Sequence, residues 1–376
     1  MKKTFLYFIV VFLCINATIY AQENTKKQKI QTISEKFLAE NKIPGMAISI
    51  SINNKLFFSE GFGYSNLKSK EKVKPNLTKF RIASISKTLT AVALAKLVDD
   101  KKLDFDASLY TYLPNYPKKK YDFTLRQIGG HIAGIRHYRG NEFLSNKKMT
   151  IVNGLDLFKN DPLLFKPGTN YKYSTYGWNL LSVVIQNASN KNYLSYMENE
   201  IFSPLEMNNT GWFLSEIDLA NHSKQYDKKR NKLKTIPLYG QSTYPDGGLR
   251  SSVAEVSKFF IALLNEGEYQ GVRILKKASV AEMLRFQFTE GNKPDNVNMK
   301  EPDKNSGIFW ATKRDVTMIG HSGTDSGVKT EMLSNLSKDV AVILFSNTAY
   351  SNQVLKGHFA IYDELWRYGR LLRSHH

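Results

Sequence analysis

The chain has 376 residues, of which 42% are hydrophobic and 23% are charged, an ordinary composition for a soluble globular protein with a substantial core. This composition excludes a chain that is disordered throughout. The formal net charge of +19 favours anionic surroundings, but the lysines are scattered, so we expect peripheral contact with anionic surfaces and no nucleic-acid partner.

The first 21 residues have the pattern of a secretory signal peptide. Lys2 and Lys3 precede an apolar run from Phe5 to Ile15, and Ala21 supplies a small residue for cleavage. The run is shorter than the roughly 20 apolar residues of a membrane span, and an uncleaved anchor is the alternative. Cys14 is the only cysteine, so the mature chain would lack disulfides and thiolate chemistry. We expect an exported protein, periplasmic or secreted.

The rest of the chain predicts a sheet assembled from both chain ends. Apolar residues at helical spacing predict helices at Thr32–Asn41, Ser84–Asp100, Leu180–Asn187, Tyr193–Ile201, Val253–Asn265 and Ser351–Leu372. Alternation predicts strands at Met46–Ile52, Leu56–Gly63, Phe309–Ala311, Val316–Gly320, Lys329–Leu333 and Val340–Phe345. The turn residues Asn53 and Asn54 join the first two of these strands, which predicts a β-hairpin. We therefore expect an α/β (α+β) fold, with an antiparallel sheet flanked by helices and a mainly helical insertion. Residues 22–376 are expected to form one domain, with sheet regions at about 28–80 and 305–376 and the helical region at about 81–304.

A Ser-x-x-Lys pattern points to a nucleophile. A serine hydroxyl needs a base within hydrogen-bond reach, and residues three apart on a helix share one face. Of the five occurrences, only the one at Ser84 precedes a long apolar helix, with Lys87 one turn later. The N-terminus of a helix would add free N–H groups and a positive dipole end, although a plain N-cap serine is the alternative. The other four patterns begin at Ser65, Ser69, Ser145 and Ser326.

Motifs of other hydrolase and nucleotide-binding classes are absent from the sequence. It contains no Gly-x-Ser-x-Gly, no His-Glu-x-x-His and no Gly-x-x-x-x-Gly-Lys-Ser/Thr. An α/β-hydrolase, a zinc hydrolase and a P-loop enzyme are therefore disfavoured. We expect no metal and no organic cofactor.

Several segments, taken together and in order, carry a family resemblance. These are Phe80–Thr90, Thr124–Gln127, His131–Ile135, Pro167–Thr169, Ile201–Met207, Gly247–Leu249 and Gly320–Gly323. From about Ile43 to Thr348 the chain resembles the serine β-lactamase and penicillin-binding protein superfamily, in its class C-like branch. Arg81–Leu97 and Gly134–Tyr138 are similar to the mitochondrial serine β-lactamase-like proteins of animals. The resemblance implies a β-lactamase/transpeptidase-like fold and acyl transfer through Ser84 and Lys87.

The resemblance also implies a second motif at Tyr173-Ser174-Thr175. Tyr173 would share proton handling with Lys87, and which of the two is the general base stays open. Thr175 takes the place of an asparagine that contacts the substrate's amide carbonyl, and threonine offers only one hydroxyl donor. This replacement argues against efficient recognition of β-lactams or D-Ala-D-Ala.

The third motif implied by the resemblance is His321-Ser322-Gly323, where β-lactamases have Lys-Thr-Gly. The N–H of the next residue, Thr324, would form an oxyanion hole with the N–H of Ser84. Histidine is mostly uncharged near neutral pH. We therefore expect substrate binding to depend less on a carboxylate in the substrate than it would with a lysine at this position.

These residues predict an exported serine hydrolase that acts through an acyl-enzyme. The expected substrate is a small molecule or peptide with an amide, peptide or ester bond, and cell-wall-derived material is among the candidates. Two alternatives remain open: a weak or inactive relative that binds peptidoglycan or a protein, and a self-assembling protein. The sequence does not determine the oligomeric state.

Overall fold

The computed structural model describes residues 24–25, 27–147, 149–215, 217–229, 232–298, 311–313, 318–349, 361 and 363–370. The helices are α1 (27–41), α2 (Ser86–Asp99), α3 (Leu109–Tyr112), α4 (Leu125–Gly129), α5 (Ile151–Gly154), α6 (Tyr176–Ser189), α7 (Tyr193–Met197), α8 (Val253–Leu264), α9 (Lys277–Leu284) and α10 (363–370). The strands are β1 (Gly45–Ile52), β2 (Lys55–Asn66), β3 (Glu71–Lys72), β4 (Phe80–Arg81), β5 (Gln225–Lys229), β6 (Lys232–Ile236), β7 (Arg250–Ser251), β8 (Glu268–Tyr269), β9 (Val272–Arg273), β10 (Ala311–Lys313), β11 (Met318–Asp325), β12 (Val328–Asn335) and β13 (Val340–Ser346).

The main sheet joins the two ends of the chain. Its seven antiparallel strands lie in the order β10-β11-β12-β13-β1-β2-β3, so the first strand pairs with the last, with Met46 opposite Ser346. Most of the helices come from the chain between β3 and β10. The fold class expected from the sequence is therefore confirmed.

Strand β1 is buried on both faces because helices cover each side of the sheet. Ile48 and Ile50 point into a core that includes Phe37 of α1. On the other face, the hydroxyl of Ser49 lies 2.6 Å from that of Ser257 on α8. The large residues of β1 thus face the side of the sheet covered by α1, and its small residues face the side covered by α8, because successive side chains of a strand point to opposite faces.

The predicted hairpin and the main helices are present with small shifts in their ends. Asn53 and Asn54 connect β1 to β2 with φ of 48° and 61°, the left-handed geometry that two-residue hairpin loops use. The single helix expected at Tyr193–Ile201 is wrong in detail, because α7 ends at Met197 and continues as a wider π-helical turn, Glu198–Phe202.

Several predicted features fall at the limits of the described residues. The signal peptide, with Cys14, lies outside them, as do parts of the strands predicted at Phe309–Ala311 and Val316–Gly320 and much of the last helix. Within the insertion, the hairpin of β5 and β6 was not predicted from the sequence. Among the helices of the described residues, none combines the length and apolar character needed to cross a membrane.

Candidate active site

Ser84 lies in a strained turn between β4 and α2. The turn is a short 3₁₀ segment, and Ala83 adopts a left-handed φ of 47°, which costs a residue with a Cβ about 1–2 kcal/mol. Neighbouring elements hold this turn: the N–H of Ile82 donates to Leu249 (2.9 Å), and the hydroxyl of Thr330 donates to the Ile82 carbonyl (3.0 Å). Strain at a turn held from outside is typical of functional sites.

The side chain of Ser84 does not serve as a helix cap. In this segment neither the 3₁₀ turn nor α2 has a side-chain hydrogen bond at its N-cap. Instead, Ser84 is half-buried, and its Oγ accepts a hydrogen bond from the Lys87 ammonium at 3.0 Å and one from the Tyr173 hydroxyl at 3.1 Å. The structure therefore brings together Ser84, Lys87 and Tyr173, the three side chains that the sequence analysis expected to act together.

Lys87 is fully buried, and its pKa lies close to neutral pH. Burial lowers the pKa of Lys87 to about 8, while Asp246 and Asp325 oppose the shift and Arg81 adds to it. The ammonium also donates to the backbone carbonyl of Asp246. A buried lysine with this pKa can take up and return a proton at the Ser84 hydroxyl.

Two histidine rings hold the segment that carries Tyr173. The N–H of Ser174 donates to Nδ1 of His131 at 3.1 Å, and the N–H of Thr175 donates to Nδ1 of His137 at 3.3 Å. The His131 ring also packs 4.3 Å from the Tyr173 ring, centroid to centroid. Burial and nearby Lys87 lower the pKa of His131 well below its usual value and that of His137 to about 4, so both rings remain neutral acceptors.

The predicted third motif lies on β11, against the turn that holds Ser84. A Cβ at Gly323 would lie 2.6 Å from the Ile82 carbonyl oxygen, so only glycine allows this close approach. Thr324 lines the cavity at Ser84, whereas His321 is buried, with its Nδ1 2.7 Å from the Ser322 carbonyl. Of the four residues expected to bind substrate here, Thr324 is the one that borders the cavity.

A polar network that the sequence did not reveal lies beside Lys87. The Tyr138 hydroxyl donates to Oδ1 of Asp246 at 2.5 Å, and the Gln241 amide donates to the same oxygen. Arg81, which is fully buried, donates to Gln241 and forms an ion pair of 3.0 Å with Asp325. Burial raises the pKa of Asp246 to about 6, so this carboxyl is ionised at neutral pH.

These side chains surround a cavity of about 370 Å³. Among its lining residues are Ser84, Lys87, Tyr173, Thr175, Asp246 and Thr324. Within the described residues, no group of three His, Cys, Asp or Glu side chains is placed to share a metal ion. The arrangement offers a nucleophile, two proton-handling groups and space for a small acyl group.

The family model for β-lactamase matches residues 30–364, which is most of the chain. This protein belongs to the β-lactamase family. The human protein "Serine beta-lactamase-like protein LACTB, mitochondrial" is 31% identical over 293 residues, which cover 59% of this chain and 53% of that protein. The chain thus spans about half the length of the curated relatives that it matches first.

Solved structures support the same fold for this β-lactamase-family chain. FmtA from Staphylococcus aureus superposes with a TM-score of 0.73 at 20% identity, covering 92% of this chain and 90% of FmtA. EstCE1, described as a hydrolase with promiscuous acyltransferase activity, gives a TM-score of 0.72 at 16% identity, covering 91% and 100%. At these identities the likeness shows the fold and not the reaction.

The residues that support this β-lactamase-family site are not marked by a local pattern in the sequence. His131 and His137 fall within or beside segments that carried the family resemblance, which is the one signal that pointed towards them. Asp246 precedes the matching Gly247–Leu249 segment and had no local pattern of its own. Their positions follow from contacts between distant parts of the chain.

Proposed function

We propose that this chain is a serine hydrolase that forms an acyl-enzyme on Ser84 and cleaves an ester, amide or peptide bond. The observation that carries this proposal is the convergence of Lys87 Nζ and the Tyr173 hydroxyl on one serine oxygen, at 3.0 and 3.1 Å. A serine acts as a nucleophile when a group within that distance accepts its proton.

In the proposed first half-reaction, Ser84 Oγ attacks the substrate carbonyl carbon and gives its proton to Lys87 or Tyr173. The backbone N–H groups of Ser84 and Thr324 stabilise the oxyanion, and loss of one such donor typically slows a reaction about 100-fold or more. The same proton then passes to the leaving alcohol or amine as its bond to the acyl carbon breaks. Water attacks the acyl-enzyme in the second half-reaction, which releases the acid and restores the Ser84 hydroxyl.

The electrostatics of the cavity support substrates that lack a carboxylate near the scissile bond. Lys87 is the one cation among the described cavity-lining residues, and the Asp246 and Asp325 carboxyls also line the cavity. His321 stands where the family resemblance places the lysine of β-lactamases, and it is buried. Small neutral esters and amides are therefore the favoured class.

Covalent labelling by a fluorophosphonate probe tests the nucleophile directly. We expect the wild-type chain to be labelled and the Ser84→Ala variant to remain unlabelled. Ser69→Ala is the matched control, because Ser69 begins another Ser-x-x-Lys pattern in the turn after β2. Absence of labelling in the folded wild-type protein would overturn the proposal and favour a binding or self-assembling relative, which mass measurement in solution would then distinguish.

A hydrolysis panel tests the substrate class. It compares p-nitrophenyl esters, nitrocefin, D-amino-acid amides and peptides on the same preparation. We expect ester or amide turnover to exceed nitrocefin turnover, because Thr175 and His321 replace residues used for β-lactam recognition. Strong nitrocefin turnover without ester activity contradicts the expectation drawn from His321.

We also propose that the chain is exported, on the basis of the charged and apolar pattern of residues 1–21. Expression of the full chain in a bacterial host, followed by N-terminal mass spectrometry of the periplasmic fraction, tests this. Export predicts a mature N-terminus at Gln22, whereas a cytoplasmic product that retains Met1 would refute it.

A further inference from the structure

A second cavity, of about 580 Å³, lies between α7 and the segment from Asn208 to Trp212. None of its described lining residues also lines the cavity at Ser84. Its wall includes Lys79, Ser195, Asn199, Phe202, Asn208 and Trp212. The acyl-transfer mechanism uses none of these residues.

Lys79 is the unusual feature of this cavity. The residue is only 4% exposed, and its backbone is held by hydrogen bonds with Asn221 and Ser223 at 2.8 and 2.9 Å. Within the described residues, its ammonium forms neither a hydrogen bond nor an ion pair.

The carboxyl groups near Lys79 are already engaged with other donors. Glu255, which is buried, accepts from the N–H of Asn209 and the hydroxyl of Thr210, both at 2.7 Å. Asp218 accepts from the backbone N–H of Ala220 at 2.9 Å. The Lys79 charge acts on the pKa of both carboxylates, but among the described contacts neither carboxylate forms an ion pair with it, so an anion in the cavity can still reach the ammonium.

The remaining wall indicates what kind of anion fits. Ser195, Asn199 and Asn208 offer neutral hydrogen-bonding groups, and the rings of Phe202 and Trp212 supply an apolar side. The two exposed carboxyl groups that also border the cavity, Glu198 and Asp218, would repel a ligand with several negative charges. One cation among polar and aromatic groups suits a monoanion with an apolar body.

We propose that this cavity binds a small organic carboxylate, with its carboxyl group paired to Lys79 and its apolar part against Phe202 and Trp212. This ligand site is separate from the Ser84 cavity and does not depend on the proposed hydrolase activity. Pairing would give the ammonium a direct hydrogen-bond partner, and a charge-assisted hydrogen bond is stronger than one between neutral groups.

The test measures binding of 3-phenylpropionate and of its neutral analogue 3-phenylpropionamide by titration calorimetry. The full chain carries Ser84→Ala so that turnover cannot interfere. We expect the acid to bind with a dissociation constant of about 1 mM or tighter and the amide at least about tenfold more weakly. Equal affinities, no saturable binding, or tighter binding of inorganic phosphate would each overturn the proposal.

Variants of two lysines locate the binding. Lys79→Met keeps the length of the side chain and removes its charge, and we expect it to abolish the preference for the acid. Lys74→Met is the matched control, because Lys74 is half-exposed and paired with Glu71 at 3.0 Å. If Lys79→Met still binds 3-phenylpropionate in preference to the amide, the assignment to Lys79 is refuted. If that variant does not fold, the comparison of the acid with the amide in the parent chain still tests whether the cavity prefers a carboxylate.

Discussion

Replacing Asp246 with asparagine is expected to lower the pKa of Lys87. Asp246 is fully buried, its backbone carbonyl accepts a hydrogen bond from the Lys87 ammonium, and its carboxylate is the strongest of the influences that favour the ammonium. Removal of that negative charge destabilises the protonated form. The neutral amine, which is the form of Lys87 able to accept the Ser84 proton, would then be populated at lower pH.

The size of the shift follows from the loss of one opposite charge that acts on the ammonium. An opposite charge within about 4–6 Å typically moves a pKa by about 1–3 units. The pKa of Lys87 is about 8 in the wild-type chain, so its midpoint is expected near pH 7 or below in Asp246→Asn. The pKa of Asp246 itself is about 6, so the wild-type carboxyl becomes neutral below that pH, where the two proteins should converge.

The assay is the rate of fluorophosphonate labelling of Ser84 from about pH 5 to pH 10, a range that includes both pKa values. The acid-side midpoint should move to lower pH in Asp246→Asn, even if the maximal rate falls. Asp325→Asn is the graded control: Asp325 acts less strongly on Lys87, so its shift should have the same sign and be smaller. An unchanged or raised midpoint in Asp246→Asn would refute this account of the site.

Three further substitutions test the geometry around Ser84. Gly323→Ala should destabilise the protein by about 1–3 kcal/mol in a thermal melt and suppress labelling, because the new Cβ would lie 2.4 Å from the Thr330 hydroxyl. Gly291→Ala is the control: the atom nearest to its new Cβ would be 3.9 Å away, so the same melt should show little change. Thr330→Val removes the hydrogen bond to the Ile82 carbonyl and should lower the free energy of unfolding in urea by about 1 kcal/mol. Tyr173→Phe should leave stability unchanged and slow labelling by about 10²–10⁴-fold, and a rate within error of wild type would exclude a role for its hydroxyl in proton transfer.

Local pattern was sufficient for several elements of this protein. The two asparagines between β1 and β2 predicted a hairpin because left-handed turn residues and alternating strands are both short-range properties. Ser84 and Lys87 could be paired from their spacing together with the long apolar helix that follows, since a helical turn places residues three apart on one face. The order of elements along the chain was also enough to predict a sheet built from its two ends.

Other features could not be read from local pattern. The Lys87 ammonium meets the carbonyl of a residue 159 positions later, and Arg81 meets Gln241 across 160 positions. The rings of His131 and His137 support the Tyr173 segment through contacts across about 40 positions. No periodicity in a sequence window records such pairings.

The sequence by itself thus determined the helix that follows Ser84 and bears Lys87, the hairpin, and the kind of sheet into which they fold. The tertiary structure decided that Lys87 is fully buried beside Asp246, that His321 is buried instead of lining the cavity, and that Lys79 faces a second cavity. The physical reason is that burial and electric field at a side chain are set by every neighbour in space. Those neighbours are assembled only when distant segments of the chain pack together.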